Sequence, residues 1–275
     1  MAKLMLIGTS TKTNNEFAYY SDIYEQCIEN ILIKQANEFY NDFVIESLRP
    51  QLIADFIKME HWRRRNNIGE FGLAAFQQIE CIINWLGRNN TLSEVFRSMM
   101  NVPCYIDSQN SVAIRYKKST YTIAQLLFMN DAPIKSKDIL PQLRTFDRFR
   151  AINYFVCHQG KLQYFQFSQF VEENNKFSEI YSLRNLIHRG NDLTNKDKDR
   201  LKNIEDNSSR AFLSITSFLC WFIDSINKGF PLSKELIEYA KTDFSNIIKN
   251  DNPTDPTPKV LYTIDLKDDG KKRFK

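Results

Sequence analysis

Phe177-Ser178-Glu179-Ile180-Tyr181-Ser182-Leu183-Arg184-Asn185-Leu186-Ile187-His188-Arg189-Gly190 is the stretch on which the reading of the fold turns. A step of about 100° per residue from Phe177 puts Phe177, Ile180, Leu183, Leu186 and Ile187 on one broad face. That is the pattern of a helix laid by one side on a core. Arg184 and His188, four residues apart, fall together on the shoulder of this face, within reach of each other. Asn185 lies further round. Gly190 supplies a stop, and cations in the last turn meet the negative end of the helix dipole. A cation and a titratable ring at the edge of an apolar stripe suit a groove where helices, or subunits, meet.

The same periodicity extends over most of the chain. Phe17, Tyr20, Tyr24, Cys27, Ile31, Phe39 and Phe43 recur at helical spacing, which predicts a long first helix or two in near continuation. A strong helix is predicted from Asn67, with Asn67 as cap and Glu70 reaching back as in a capping box. Phe71, Ala75, Ile79, Ile82, Ile83 and Leu86 form its apolar stripe and Gly87 its end. Helical patterning resumes at Lys135. Pro141 limits one short helix, Phe146 to Val156 forms another that ends near Gly160, and the Phe- and Tyr-rich stretch from Leu162 to Val171 favours helix. Beyond the polar loop Gly190 to Asn195, Leu201, Ile204, Ala211, Ile215, Phe218, Phe222 and Ile226 predict one long helix ended by Gly229. A last helix is predicted from about Ser233 to Ile248.

Between about Asn101 and Asp131 the period changes to two. Val112, Ile114 and Tyr116 alternate with Ser111, Ala113 and Arg115, Lys117-Lys118-Ser119 turns, and Tyr121 and Ile123 resume. This predicts a short β-hairpin inserted between helical halves and lying against them. Residues 251–258, DNPTDPTP, form a Pro-rich linker. The following VLYTIDL is a candidate short strand, with the MLIG near the N-terminus as its partner, and KKRFK is a basic tail. The expected architecture is mainly α. A helical bundle spans 14–228 with a hairpin insertion at 101–131, an accessory helix occupies 229–250, and linker and tail occupy 251–275.

Composition excludes several classes. The chain of 275 residues is 43% hydrophobic with only eight Gly and eight Pro, so it is neither disordered nor built from loops. The most apolar segment, Ala211 to Ile226, is shorter than the roughly 20 residues that span a bilayer and carries Asp224, so no membrane segment is expected. The N-terminus lacks the pattern of a signal peptide. Cysteines 27, 81, 104, 157 and 220 form no CxxC pair and are odd in number, which points to a reducing, cytoplasmic setting without a metal site. There is no Gly-rich phosphate loop, no HExxH and no GxSxG. A net charge of +4 permits a nucleic-acid partner without demanding one.

An Arg followed by a polar residue and then a His near a helix end resembles the HEPN superfamily (higher eukaryote and prokaryote nucleotide-binding domains). These are α-helical bundles, many of them metal-independent ribonucleases. Arg184 stands where the family has its Arg, Asn185 its polar residue and His188 its His, and His188-Arg189-Gly190 is similar to the ending of many bacterial members. Three residues separate Arg184 from His188, one fewer than the family pattern. The resemblance implies a HEPN-like bundle that cleaves RNA by attack of a ribose 2′-OH on the adjacent phosphate, without metal or other cofactor. His188 would move the proton, Arg184 would hold phosphoryl oxygens, and Asn185 would orient the imidazole or the phosphate. It also implies a homodimer with a composite cleft and, by analogy, a defence-system or antitoxin partner.

His61-Trp62-Arg63-Arg64-Arg65 is the densest basic cluster. Arg63, Arg64 and Arg65, together with Arg189, are the candidates for RNA phosphates, and Trp62 is a candidate for stacking a base. The same run also reads as a solvated helix end around a packed Trp. Cys157-His158 are sequence neighbours that diverge by about 100° on a helix, which argues against a thiol–imidazole pair. The rival to a ribonuclease is a non-catalytic helical module that binds a nucleotide or a protein.

Overall fold

The Asn67 side chain accepts the Glu70 N–H at 3.0 Å and starts a helix that the rest of the chain surrounds. The computed structural model describes the backbone over 2–106, 111–114, 121–128, 140–160 and 165–241, with side chains over 21–102, 122–128, 140–160, 167–190 and 192–241. In chain order the helices are α1 (Ala2–Tyr40), α2 (Arg49–Arg64), α3 (Ile68–Gly87), α4 (Asn90–Met99), α5 (Ile123–Phe128), α6 (Thr145–Ile152), α7 (Phe167–Arg189), α8 (Asn195–Asp206), α9 (Ser208–Gly229) and α10 (Lys234–Ala240). The fold is mainly α, as expected.

Helix α3 is central because its sequence allows it to be buried on nearly every side. Phe71, Phe76, Ile79, Ile82, Ile83 and Leu86 are fully buried, each contributing about 2 kcal/mol over exposure. Helices α2, α6, α7 and α9 pack on it. The expected stripe of α3 is present in full; of the expected capping box, only the Asn67 half is formed.

Helix α7 approaches α3, and α9 the turn after α6, too closely for side chains at the crossing. A Cβ on Gly69 would lie 2.5 Å from Ile187 Cδ1, and one on Gly72 would overlap Leu183 Cδ2. Leu183 and Ile187 therefore drop onto bare backbone, which fixes the rotation of α7 about its axis. At the other end, a Cβ on Gly229 would overlap the carbonyl oxygen of Val156. Val156 belongs to the wide π turn Asn153–Cys157 that follows α6.

Several expectations are corrected. The long helix from Leu201 to Ile226 is two helices, α8 and α9, broken at Asn207 (φ −112°, ψ 28°). The N-terminal MLIG lies within α1 and is no strand. Helix α1 ends at Tyr40, before Phe43, and Tyr24, Cys27 and Ile31 of its expected stripe are exposed, whereas Leu32, Ala36 and Tyr40 are buried. Tyr40 is anchored through its hydroxyl, which donates to Gln78 Oε1 at 2.5 Å. In the Phe- and Tyr-rich stretch, Phe165–Gln166 is a strand and helix starts at Phe167. Ser233 caps α10 by accepting from Leu236 N–H at 3.2 Å, and Leu236 and Ala240 join the common core.

Strands β1 (Pro103–Ile106), β2 (Ser111–Ile114), β3 (Tyr121–Thr122) and β4 (Phe165–Gln166) pair in the order β3-β1-β2-β4, all antiparallel. The expected pairing of the Val112 strand with the Tyr121 strand is not found, since both pair with β1, and Ile123 begins α5. The turn at Lys117-Lys118-Ser119, the start of helix near Lys135 and everything expected beyond 241, including the linker, C-terminal strand and basic tail, lie outside the described residues.

The two close approaches differ in what would yield. At Gly72 the obstacle is the tip of a leucine, and alanine also favours helix by about 1 kcal/mol. At Gly229 it is backbone. Gly229→Ala is therefore expected to lower stability by about 3 kcal/mol and Gly72→Ala by about 1 kcal/mol or less. Urea denaturation of both variants checks this, and equal losses would contradict the contact geometry.

Candidate functional site

Because Leu183 and Ile187 are locked against α3, the residues between and after them have little choice of direction. Arg184 is half-buried, its Cζ 5.5 Å from the centre of the Phe76 ring, and its Nη1 donates to Asn185 Oδ1 at 3.0 Å. Its Nε is buried without a hydrogen-bond partner. His188 is exposed and makes no hydrogen bond or ion pair with any described residue. Arg184 and His188, expected within reach of each other, share no hydrogen bond or ion pair. The guanidinium leans back on an aromatic ring, while the imidazole projects from the last turn. Asn185 holds the arginine, not the imidazole.

Arg189, next to His188, is exposed, and its Nη1 donates to Asp197 Oδ2 at 2.9 Å. The same oxygen accepts the Thr194 hydroxyl at 2.9 Å and the Thr194 N–H at 3.3 Å, closing a capping box at the start of α8. The other candidate arginines are also engaged. Arg63 Nε donates to Glu60 Oε2 at 2.6 Å, Arg64 lies 3.5 Å from Glu25, and the Arg65 guanidinium sits 5.4 Å over the Trp62 ring. His61 meets Glu29 at 2.8 Å. Trp62 is partly buried against the core with its indole N–H enclosed, so the packed reading of this Trp is the one the structure supports.

The two candidate groups nevertheless reach the same end of the bundle. Gly69, at the start of α3, touches Ile187 near the end of α7. The Ser208 hydroxyl, at the start of α9, donates to Asn66 Oδ1 at 3.1 Å in the turn after α2. The C-termini of α2 and α7 and the α8–α9 junction therefore converge there. They carry Arg63, Arg64, Arg65, His188 and Arg189 together. The pairs of Arg64 and Arg189 are partly exposed and worth about 0–1 kcal/mol, so these two can exchange a carboxylate for a phosphate at small cost, whereas Arg63 is tied to the buried Glu60.

A second cluster escapes pattern reading. Glu173 is buried on α7, where its Oε2 meets His158 Nε2 at 2.7 Å and accepts from Asn153 Nδ2 at 3.0 Å. Its Oε1 accepts from Gln169 at 3.0 Å. The neighbouring Cys157 thiol is pushed well up, first by burial and then by the charge of Glu173. The one sequence signal was a carboxylate within the apolar stripe Phe170, Glu173, Phe177. Glu173 lines a hollow of about 520 Å³ between α7 and α9 with Glu172, Lys176, Ser217 and Trp221. A neighbouring hollow of about 260 Å³ is floored by Ile180, Leu183, Ile204 and Ile215. Neither is lined by Arg184 or His188. Among the described residues no group of three or more His, Cys, Asp or Glu could hold a metal ion, and no helix is long and apolar enough to cross a membrane.

No family model matches the chain, and no curated protein or solved structure matches it either.

Asp197 offers a direct test of how firmly Arg189 is held. The Thr194 hydroxyl above all, helped by the Thr194 N–H and Arg189, holds the Asp197 carboxyl below its ordinary value against an opposing loss of hydration second in size to the hydroxyl's effect. A folded value below the unfolded one stabilises above about pH 4 and is lost as pH falls through the folded value. Acidification is therefore expected to release Arg189 and fray the first turn of α8, and Asp197→Asn should do the same at neutral pH. Amide NMR of Thr194 and Asp197 reads this. Titration of Asp197 at an ordinary carboxylate value would contradict it.

Proposed function

We propose that the protein is a metal-independent endoribonuclease of HEPN type that acts as a homodimer in the cytoplasm. The observation that carries the reading is His188: an unpaired, exposed imidazole at the bundle end where Arg189 and the α2 arginines also lie. An imidazole is the side chain that exchanges protons near neutral pH. Set beside a phosphodiester it takes the proton of the ribose 2′-OH as the 2′-oxygen bonds to phosphorus. The bond from phosphorus to the 5′-oxygen breaks, and the leaving oxygen is protonated by the second imidazole of the dimer. The products are a 2′,3′-cyclic phosphate and a free 5′-OH. Arg189 and the α2 arginines hold the flanking phosphates.

Within one subunit His188 stands on an open surface, so water exclusion and the second imidazole have to come from the partner subunit. Arg184 acts from behind. Its stacking on Phe76 and its bond to Asn185 hold the last turn of α7, and its Nη2 donors, unlike the buried Nε, are available to a phosphate. By analogy with bacterial HEPN proteins, such an activity belongs to defence or toxin–antitoxin systems, with an antitoxin or defence-system protein as its restraint.

One observation favours the non-catalytic reading. Arg184 is engaged inside its own subunit, and Arg63, Arg64 and Arg189 are each paired with an acid. A helical scaffold that binds a nucleotide or a protein would need no more than that.

Purified protein incubated with mixed RNA in EDTA separates the two. Cleavage leaving cyclic phosphate ends is expected from the wild type. His188→Ala removes an exposed side chain without a hydrogen bond or ion pair among the described residues, so it should leave the melting temperature unchanged and lower cleavage by about 100-fold or more. Undiminished cleavage by His188→Ala would remove this residue from the mechanism, and an inert wild type would leave the scaffold reading.

A further inference from the structure

Helix α1 presents two separate apolar faces, and only one is covered. Leu32, Ala36 and Tyr40, spaced by four, are buried against the bundle. Glu25 and Glu29 bind Arg64 and His61 of α2 on the same side. At about 100° per residue, Tyr24, Cys27 and Ile31 lie on a different side, roughly 150° away. Tyr24 is 61% exposed, Ile31 55% exposed, and Cys27 also open. Five large apolar side chains are exposed among the described residues, and four of them, Ile23, Tyr24, Ile31 and Ile33, belong to α1. Ile33 lies opposite Tyr24 and stands alone.

The spacing of the open face is that of a coiled-coil seam. Tyr24, Cys27 and Ile31 follow the alternation of three and four, and in the sequence Tyr20 and Phe17 continue it toward the N-terminus. With Tyr24 and Ile31 as a and Tyr20 and Cys27 as d, the e and g positions between Tyr20 and Ile31 are Ser21, Ile23, Ile28 and Asn30, none of them charged. Glu16, the g position before Phe17, has the neutral Ser21 as its counterpart. The acids Asp22, Glu25 and Glu29 fall on the outer b and f positions. Two identical helices can therefore meet along this seam without placing like charges opposite each other. A charged partner helix would find nothing on the flanks between Tyr20 and Ile31 to pair with.

We infer that the open face of α1 is the homodimer seam, and that the second copy pairs with it in parallel, Tyr24, Cys27 and Ile31 each meeting their own counterparts across a twofold that runs along the helix pair. This arrangement sets the basic ends of the two bundles side by side, because Glu25 of α1 already touches Arg64 at that end. From Tyr24 to Ile31 the open face spans about 10 Å and is smaller than a standard interface, so dissociation on the order of micromolar is expected. The pairing stands apart from the ribonuclease reading, since a dimer that cleaves no RNA leaves it intact.

The full chain supplies its own probe. Sedimentation from about 1 to 200 µM, bracketing the dissociation expected of a small interface, should show a monomer–dimer equilibrium for the wild type. The double variant Tyr24→Asp, Ile31→Asp places charges on an exposed face, so its helix content and melting should be unchanged. Its association should weaken by about 100-fold or more, because dimerisation would bury those charges unpaired. Diamide should couple Cys27 to its counterpart: two thiols give up two protons and two electrons, one S–S bond forms, and diamide is reduced to the hydrazine. Cys27→Ser should abolish this covalent dimer and Cys220→Ser should not. A wild type that stays monomeric throughout, or a dimer that survives the double variant, overturns the seam. A dimer that the double variant disrupts but diamide never couples overturns the parallel register.

Discussion

Helix α7 lies on α3 across two positions without side chains, Gly69 and Gly72, and the direction of every residue on α7 follows from that contact. Leu183 and Ile187 settle onto α3 backbone, so α7 has one rotation that it cannot leave without lifting both from the core. Given that rotation, Phe170, Phe177 and Ile180 must point inward, and Glu173 goes with them. Arg184 is brought over Phe76, and His188 is carried past the last packed residue into solvent. Ile215 of α9 also approaches Gly72, at 3.7 Å from the position of a Cβ there. Helices α7 and α9 thus rest on the same stretch of α3 and diverge from it, leaving the two hollows between them.

Polar groups inside the bundle have been placed where partners exist. Glu173 receives donors from three side chains on two elements, which offsets the cost of taking a carboxylate out of water. Gln78 is fully buried, accepting from Tyr40 and donating to the Ala74 carbonyl at 3.2 Å. Arg148 spans a loop, bonding the carbonyls of Leu140, Pro141 and Leu143 as well as Asn84. His188 is the contrast. With Glu179 it is one of two titratable groups on α7 that the fold leaves both exposed and without a hydrogen bond or ion pair among the described residues.

Charge is arranged by the same economy of contacts. At the end where α2, α7 and the α8–α9 junction meet, most arginines already have a carboxylate, supplied by Glu25, Glu60 or Asp197. Such pairs hold side chains in place more than they stabilise the fold. Helix α1 joins that end to its own uncovered seam, so that recognition of a second copy and recognition of an anion would share one region of the molecule.

Periodicity alone placed α3, α7 and most of α1 and α9 as helices, though it did not mark α2, α4 or α5. For α3 it also placed the buried face, because a stripe such as Phe71, Ala75, Ile79, Ile82, Ile83, Leu86 has one way to leave water. It also marked the ends at Asn67 and Ser233, where a side-chain oxygen meets a free N–H locally. It failed wherever the deciding contact was distant. Leu201 and Ile226 fit one long helix by spacing, and the break at Asn207 follows from how α8 and α9 pack. Tyr24 and Ile31 read as core, yet Leu32, Ala36 and Tyr40 face the bundle, since a helix with two apolar sides does not declare which side its neighbours occupy. The spacing of Arg184 and His188 put them on one shoulder, but Phe76 and Asn185, on another helix and one residue away, drew the arginine back. Composition and period are local properties that the sequence carries in full; the direction of a side chain at a crossing depends on what lies across it, and only the tertiary structure supplies that.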